Sequence, residues 1–356
     1  MNNGYFNEII ETIQDKSYLF PRGGMTKTGI LTPQDADTID MSALSGIREY
    51  NPSEYTFTAL AGTKLTEINQ MLTDNGQFLP FDPPLATRGA TLGGTVGANL
   101  SGPMRYYYGG VRDFILGVQF LNDQGQLVRS GGKVVKNAAG FDIPKLMVGS
   151  FGSLGPMVEI SFKVFPRHEG YITLVGKYPN LSQAWKALID LTLSPVEILS
   201  LELVPRGSSF SLQIRLGGDP RLFQERINHL GAYLQDVEYF QGEEELENWK
   251  GINEYNWVPE GSSLIKVPLI PKLIPELDAF LEECEAVRRY SAGGNIAWIA
   301  WSNTTTLLDQ KLLDMKLMGL TILGPCDQVR FGLPAQNVFF RKIKAALDPS
   351  GLWVEV

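Results

Sequence analysis

Residues 90–102 read ATLGGTVGANLSG, and the interpretation of the whole chain starts from them. The glycines and Asn99 permit turns, and the residues between them are small. A flat aromatic ligand could therefore approach this backbone closely. The alternative is a tightly packed turn of small residues that binds nothing. A Rossmann dinucleotide loop is disfavoured, because the glycine spacing differs and no strand–glycine–helix frame with a ribose-binding acid follows.

Two further glycine-rich segments accompany this stretch. Residues 21–29, PRGGMTKTG, follow a predicted strand, and successive N–H groups in such a turn form a nest suited to a pyrophosphate. Their spacing is not that of a Walker A loop. Residues 149–155, GSFGSLG, lead into another predicted strand and follow Lys136–Asp142 closely. Each segment taken alone could be a plain turn.

Length and composition favour a two-domain globular protein. The chain has 356 residues, with 44% hydrophobic and 20% charged residues. We expect a soluble, cytoplasmic protein, because no apolar run is long enough to cross a bilayer and Met1–Glu11 does not resemble a signal peptide.

Charge and the scarcity of certain residue types exclude several functions. A net charge of −8 argues against a nucleic-acid partner. The two cysteines, Cys284 and Cys326, exclude a disulfide framework and an iron–sulfur cluster with clustered ligands. Only two histidines, His168 and His229, remain for a zinc or iron site. Redox chemistry would therefore require an organic cofactor.

Hydrophobic periodicity predicts a small α/β lobe first. The expected elements are a helix through Phe6, Ile9, Ile10 and Ile13, strands at 18–20 and 38–41, a helix at 64–73, and strands at 114–121 and 157–165. We expect a domain boundary near Arg167–Gly170.

A second domain is predicted from the alternation that follows. The expected elements are a strand at 171–177, a helix at 182–193 capped by Ser182, strands at 198–204 and 210–216, a helix at 220–235 and a strand at 236–240. That βαββαβ order is the ferredoxin-like unit. Helices at 271–289 and 305–318, strands at 264–267 and 295–301, and a last helix at 336–347 complete the prediction. The fold class is thus α+β, with segments 1–170, 171–335 and 336–356, the last packing back on the first.

The three glycine segments, in this order and at these separations, resemble one family. The chain is similar to the FAD-binding (PCMH-type) domain of flavoproteins of the vanillyl-alcohol-oxidase superfamily, and more narrowly to the FAD-binding E subunits of bacterial glycolate oxidases. The stretches that carry the resemblance are 131–142 (GGKVVKNAAGFD), 165–167, 102–103, 111–117 and 347–351. The resemblance is dense from Asp15 to Arg167 and thin from Tyr171 to Ala335.

The resemblance implies a site for FAD. Residues 22–28 would cradle its pyrophosphate, Pro83 with residues 89–94 and 97–101 would line the isoalloxazine and ribityl portion, and residues 149–155 would hold the adenosine. The implied cofactor-binding residues are Arg22, Gly23, Gly24, Met25, Thr26, Lys27, Thr28, Pro83, Gly89, Ala90, Thr91, Gly93, Gly94, Gly97, Asn99, Ser101, Gly149, Ser150, Gly152, Leu154, Gly155 and Met157.

Three features distinguish this chain from the family pattern. Some relatives attach flavin covalently through His or Cys, and neither type occurs in residues 1–167, so we expect non-covalent FAD. Met25 stands where a third glycine is usual. Pro156 stands where a residue with a free N–H is usual, which removes a donor.

No catalytic base can be named from the sequence. The histidine-rich C-terminal motif of the related catalytic subunits is missing, and no metal site is expected. His229 and His168 are interpreted as solvated side chains. Arg206, Arg215 and Arg330 could bind a carboxylate, although each is more often a surface charge. Tyr106–Tyr108, beside Arg105, could wall a flavin or form a packed aromatic cluster.

Three functions remain open at this point. The first is an FAD-carrying electron-transfer subunit of a complex that oxidises a small 2-hydroxy acid, with a second flavoprotein subunit and an iron–sulfur subunit as partners. It could be peripheral to a membrane through those partners. The second is a self-sufficient FAD-dependent dehydrogenase of another small alcohol or acid. The third is a scaffold with a decayed flavin site, which Met25 and Pro156 would favour.

Overall fold

The computed structural model describes residues 3–15, 18–30, 33, 35–132, 142–333 and 338–355. Helices and strands are mixed along the chain, which confirms the predicted α+β class. Among these residues no helix is both long and apolar enough to span a membrane.

The N-terminal part, up to Pro166, is built from short elements. In chain order they are α1 (Asn3–Asp15), β1 (Leu19–Arg22), β2 (Asp37–Asp40), β3 (Ile47–Asn51), β4 (Thr56–Leu60), α2 (Leu65–Thr73), β5 (Gln77–Phe78), α3 (Leu92–Gly97), α4 (Arg105–Tyr108), α5 (Val111–Phe114), β6 (Ile115–Leu121), β7 (Leu127–Gly131), α6 (Ile143–Met147), β8 (Met157–Lys163) and β9 (Phe165–Pro166). The predicted helices and strands of this part are confirmed, while β3, β4, β5 and β7 were not predicted.

These strands form two sheets, and Leu60, Leu121 and Val158 of the larger sheet pack into the core of the smaller one. A five-stranded antiparallel sheet has the order β3-β4-β8-β6-β7, and β1 pairs with β2 in parallel beside it. The larger sheet buries one core around Phe57, Phe81 and Phe162. The small β1–β2 layer buries another around Ile9 and Trp353. The N-terminal part therefore consists of two lobes.

The second part carries the longer strands. Its elements are β10 (Gly170–Tyr178), α7 (Leu181–Thr192), β11 (Ser200–Arg206), β12 (Ser209–Gly218), α8 (Phe223–Leu230), β13 (Glu238–Gln241), α9 (Glu243–Asn253), β14 (Ser263–Pro268), α10 (Ile274–Glu283), β15 (Val287–Ser291), β16 (Ile296–Trp301), α11 (Thr305–Asp314), β17 (Met318–Leu323), β18 (Arg330–Gly332) and α12 (Val338–Leu347).

One nine-stranded sheet contains every strand from β10 to β18, in the order β13-β10-β12-β11-β15-β16-β14-β17-β18. Its first four strands with α7 and α8 are the predicted ferredoxin-like unit. A second unit of the same order, β14-α10-β15-β16-α11-β17, was not predicted. The two units join edge to edge where β11 pairs with β15 at Leu203 and Tyr290.

Several predicted boundaries are wrong. Asn180, and not Ser182, caps α7, since its side chain accepts a hydrogen bond from the Gln183 N–H. The helix predicted at 271–289 ends at Glu283, and Val287–Ser291 is the strand that joins the two units. The segment predicted as a helix at 220–235 begins with a 3₁₀ turn, Pro220–Leu222, and its α-helix ends at Leu230. The helix predicted at 305–318 ends at Asp314.

The last helix contacts the N-terminal part. Phe340, Ile343 and Leu347 of α12 pack against the core of the five-stranded sheet. The Lys344 ammonium donates to the Ser153 carbonyl at 2.8 Å. Residues 334–337, which include the predicted start of this helix, lie outside the described residues. The domain limits at 170 and 335 stay predictions.

The two faces of the nine-stranded sheet differ in polarity. One face buries aliphatic side chains against α7, α8, α10 and α11. The other face lies toward the N-terminal part and carries buried charges. Its best-satisfied pair is Arg215 with Glu245: Nε donates to Oε1 at 2.7 Å and Nη2 to Oε2 at 3.0 Å. A bidentate pair of this kind can keep two charges away from water.

Breaking this pair will destabilise the fold. The Arg215→Met variant leaves the Glu245 carboxylate buried without a cationic partner, with the Thr173 hydroxyl as its remaining donor, and we expect it to lose about 3–5 kcal/mol of unfolding free energy. Chemical denaturation measures this loss. The double variant Arg215→Met/Glu245→Leu should recover most of the lost unfolding free energy. The control is Lys186→Met, which breaks the exposed ion pair with Asp190 and should change the unfolding free energy little. Equal losses in the single and double variants would contradict the assignment.

Candidate functional site

The first and second glycine segments touch through their backbones. A Cβ added to Gly24 would lie 2.2 Å from the Gly89 carbonyl oxygen, and one added to Gly23 would lie 2.5 Å from the Thr91 Oγ1. No side chain larger than hydrogen fits at either position. The glycines at 23 and 24 are therefore required by contact between the loops.

The third segment closes against the other two. The N–H groups of Gly149 and Phe151 donate to the carbonyls of Val96 and Gly97, each at 3.0 Å. A Cβ on Gly152 would lie 2.2 Å from the Pro21 Cγ. All three glycine segments thus meet at one place, between the two lobes of the N-terminal part.

A cleft of about 320 Å³ opens at this meeting point. Its volume lies within the range of about 300–1,000 Å³ typical of small-molecule sites. The lining residues come from both lobes: Phe20, Pro21, Arg22, Gly23, Gly24, Met25, Thr26, Lys27, Thr28, Ile30, Met41, Ala61, Thr91, Gly93, Gly94, Gly97, Ala98, Phe151, Gly152, Pro156 and Met157.

Most of the implied cofactor residues line this cleft. The whole of Arg22–Thr28 does so, as do Thr91, Gly93, Gly94, Gly97, Gly152 and Met157. The others do not line it: Pro83, Gly89, Ala90, Asn99, Ser101, Gly149, Ser150, Leu154 and Gly155. Ala90 and Leu154 are fully buried in the protein core, and the Ser101 hydroxyl accepts from the Val111 N–H. These nine residues therefore belong to the glycine segments or their surroundings but not to the lining of the cleft.

Lys27 and Arg22 both bring a positive charge to the lining of the cleft. The Lys27 Nζ lies 3.5 Å from the position that a Cβ on Gly94 would occupy. Every Asp and Glu of the chain is among the described residues, and none forms an ion pair with it. Burial lowers the pKa of Lys27 to about 8. A nearly buried ammonium without a counter-ion favours binding of an anion.

The residues of the first loop otherwise suit a phosphate-bearing ligand. The Thr26 Oγ1 is buried and lacks a hydrogen-bond partner within the described chain. Met25 has a φ of 54°, a left-handed conformation suited to glycine, as its place in the family pattern implies. Its side chain is 55% exposed, and its Sδ lies 2.9 Å from the Arg22 Nε, so it does not fill the cleft.

The second part of the chain holds two of these loops in place. The Gly29 N–H donates to the Ile322 carbonyl at 3.1 Å, and the Gly324 N–H donates to the Thr28 Oγ1 at 3.0 Å. The Lys266 ammonium donates to the Asn99 carbonyl at 2.9 Å. The nine-stranded sheet is therefore in direct contact with the first and second glycine loops.

The predicted catalytic candidates lie elsewhere or are already paired. His229 is exposed as expected, but His168 is not solvated: it is half-buried, hydrogen-bonded to the Tyr108 hydroxyl at 2.7 Å and packed against Tyr171. Arg215 is buried instead of being a surface charge, and Glu245 occupies its guanidinium.

The tyrosine candidates and the remaining arginine candidates also lie outside the lining of the cleft. Tyr108 packs edge-on against Phe78 and Phe165, which favours the aromatic cluster over a flavin wall. Arg206 and Arg330 are exposed at the rim of the sheet. The described residues contain no group of three His, Cys, Asp or Glu side chains that could hold a metal ion.

Sequence reasoning missed the charged residues between the sheets. They are Arg105 on α4, Glu202 on β11, Lys266 on β14 and Arg289 on β15. One sequence signal was available for Lys266, which interrupts the apolar run Leu264–Ile265 and Val267 in a buried strand. A lysine in such a run is rarely accidental, since it is seldom buried without a function or partner.

Comparison with known proteins indicates which kind of ligand-binding domain contains the cleft. A family model described as an FAD binding domain matches residues 7–131. Glycolate oxidase subunit GlcE of Escherichia coli is 39% identical over 194 residues, which cover 54% of this chain and 55% of that protein. Glycolate oxidase subunit GlcD of Bacillus subtilis is 29% identical over 188 residues, covering 52% of this chain and 40% of that protein.

A solved structure extends the likeness to the whole fold. Alkyldihydroxyacetonephosphate synthase superposes with a TM-score of 0.71 over 98% of this chain and 74% of that chain, at 14% identity. The chain spans about half the length, or less, of the two curated relatives above.

The family match and the cleft point to the same cofactor. Residues 7–131 match the model of an FAD binding domain, which supports FAD as the ligand of this part of the chain. The glycine-lined cleft, the lone ammonium of Lys27 and the unpartnered Thr26 hydroxyl fit a dinucleotide with an anionic pyrophosphate.

The contact between the first two loops yields a direct test. Gly24→Ala forces a methyl group against the Gly89 carbonyl, and overpacking of this kind costs about 1–3 kcal/mol. We expect FAD to bind about tenfold more weakly or worse, as measured by quenching of flavin fluorescence. Gly251→Ala, in α9 with no heavy atom closer than 3.9 Å, is the matched control and should bind FAD normally. Unchanged affinity in the Gly24→Ala variant would show that the loop contact is irrelevant to binding.

Lys27 should make FAD binding depend on pH. Below about pH 8 it is protonated before and after binding. At higher pH the Lys27 side chain of the free protein loses its proton, but a bound pyrophosphate favours the protonated form. Binding of each FAD molecule therefore takes up a proton. As a result, the affinity for FAD falls by up to tenfold for each unit by which the pH rises.

Titrations of FAD binding between pH 7 and 9 measure this dependence. Lys27→Met should bind FAD about tenfold more weakly at pH 7, since it loses a charge-assisted hydrogen bond, and its affinity should vary less over this range. Lys27→Arg should keep the affinity at pH 7. A slope in Lys27→Met equal to that of the wild type would exclude Lys27 as the titrating group.

Proposed function

We propose that this chain is the FAD-binding subunit of a glycolate-oxidase-like complex, in which it transfers electrons released by oxidation of a small 2-hydroxy acid. The observation that carries the proposal is the cleft formed by the three glycine loops, with Lys27 as its unneutralised cation. The names of the relatives support the assignment to a complex, because two of them are called glycolate oxidase subunits.

In this proposal the chain's residues hold FAD without a covalent bond. Arg22–Thr28 bind the pyrophosphate, with Lys27 as its counter-ion and Thr26 as a hydroxyl donor. Gly93, Gly94 and Gly97 approach the ribityl and ring portion, and Gly152 and Met157 the adenosine. No His or Cys side chain lines the cleft that could attach the flavin. FAD, when bound, supplies the two-electron redox chemistry that these side chains lack.

The region between the two sheets favours electron transfer over substrate oxidation. The space lined by Ser101, Arg105, Arg289 and Trp298 is about 10 Å³, which holds roughly one water. A 2-hydroxy acid, with at least five heavy atoms, does not fit there. Arg215 and Arg289, which could have bound its carboxylate, are already paired with Glu245 and Glu202. In this proposal, oxidation of the acid belongs to a second flavoprotein subunit.

Electrons would leave the chain to a partner. The two cysteines, Cys284 and Cys326, are too few for an iron–sulfur cluster of four thiolates. An iron–sulfur subunit is the acceptor that this proposal requires. The scaffold alternative is disfavoured because Met25 and Pro156 both line the cleft and still leave a space of about 320 Å³ open.

Absorption spectra of the isolated chain test this function. After incubation with FAD and removal of the excess, we expect a flavin spectrum, with all flavin released on acid precipitation. Anaerobic glycolate or lactate should not bleach it, whereas dithionite should. A colourless protein would exclude the flavin site. Flavin in the acid pellet would exclude non-covalent binding, and bleaching by either acid would identify a self-sufficient dehydrogenase.

A further inference from the structure

A second lone cation lies just beyond the cleft. Lys266 is on β14, on the sheet face that lies toward the N-terminal part, and is paired in register with Trp298. Its Nζ donates to the Asn99 carbonyl at 2.9 Å, and the Trp298 ring centroid is 6.0 Å away. Asn99 follows Ala98, which lines the cleft. The ammonium is thus attached to the loop that carries one end of the cleft.

No carboxylate neutralises Lys266. All Asp and Glu residues of the chain are described, and none lies within 4 Å of its Nζ. Burial, and next the like charge of Arg105, lower the pKa of Lys266 to about 7. Asp113 is the acid that faces Arg105, but it forms no ion pair with it within 4 Å in the described chain.

The same sheet face neutralises its other cations. Arg215 binds Glu245 through two hydrogen bonds, and Arg289 lies 3.5 Å from the Glu202 carboxylate. The fold therefore supplies acidic partners on this face wherever an arginine is buried. Lys266 is the exception on this face, and Arg105 of α4, whose like charge acts on it, also forms no ion pair among the described residues. A buried charge without a partner is costly unless a bound anion compensates it.

We propose that Lys266, assisted by Arg105, stabilises the negative charge that the FAD ring acquires on reduction. Two electrons and one proton convert the neutral oxidised ring to a reduced ring with one net negative charge. In the complex, the 2-hydroxy acid supplies the two electrons and releases two protons as it becomes a 2-keto acid. One proton stays on the ring and the other goes to solvent.

The geometry favours a charge on the cofactor, and not a small carboxylate ligand, as the anion that Lys266 stabilises. The space beside Arg105 is about 10 Å³, too small for a carboxylic acid. The Asn99 carbonyl holds the Lys266 ammonium against the loop that the proposed function places beside the flavin ring. A cation fixed near that ring favours the reduced form and raises the reduction potential. The inference rests on the proposed function, since it presupposes bound FAD.

The test is the reduction potential of bound FAD in the full chain. Lys266→Met removes the charge and keeps the stem. We expect the preference for reduced over oxidised FAD to fall roughly tenfold, the order of a Coulomb interaction between two unit charges partly shielded from water. For a two-electron couple this is a potential about 30 mV lower. Lys266→Arg should restore most of it. Lys177→Met, which removes an exposed lysine of the same sheet, controls for net charge.

The outcomes separate the two proposals. Full FAD content with an unchanged potential in Lys266→Met would overturn the inference and leave the proposed function standing. Failure of the wild type to bind FAD would overturn both. A spectral change on adding oxalate to the wild type, absent in Lys266→Met, would assign the cation to a small carboxylate and also overturn the inference. If Lys266→Met fails to fold, Lys266→Gln is measured against the same criteria.

Discussion

Close backbone contact between three separate loops is the constraint on which the rest of this structure depends. Gly24 against Gly89, and Gly152 against Pro21, leave no room for a Cβ. Because no side chain intervenes, main-chain atoms form much of the wall of the cleft, and backbone N–H groups become available to a ligand. The two lobes of the N-terminal part meet at this contact, so the cleft exists only where the lobes join.

The charges of the chain are distributed consistently with this arrangement. The molecule is acidic overall, with a net charge of −8, and it pairs the buried arginines with glutamates. Two buried lysines, Lys27 and Lys266, have no such partner in the described chain. Lys27 lies near Gly94 of α3, and Lys266 donates to the Asn99 carbonyl just beyond the end of α3.

The sequence allowed the loops to be predicted because their signal is local. Glycines after a strand need no knowledge of distant residues, and PRGGMTKTG and ATLGGTVGANLSG identified the two loops that form most of the cleft. The second ferredoxin-like unit was missed for the opposite reason. Val287–Ser291 reads VRRYS, and its arginines are buried because Asp278, on the preceding helix, and Glu202, far away in sequence, pair with them. Because the buried charges are neutralised by residues outside the strand, the strand itself shows no alternation of apolar and polar residues.

The face of the nine-stranded sheet that lies toward the N-terminal part combines apolar and charged side chains. A sheet face that packs against another domain normally buries apolar side chains. Here Leu264, Ile296, Trp298 and Ile322 join the core of the N-terminal part, and two arginine–glutamate pairs are also buried. Ion pairs of this kind rarely increase stability over apolar packing, so their retention favours a role in specifying how the sheet docks. Docking in turn fixes Ile322 against Gly29 and Lys266 against Asn99, so the sheet positions both cofactor loops from outside the cleft.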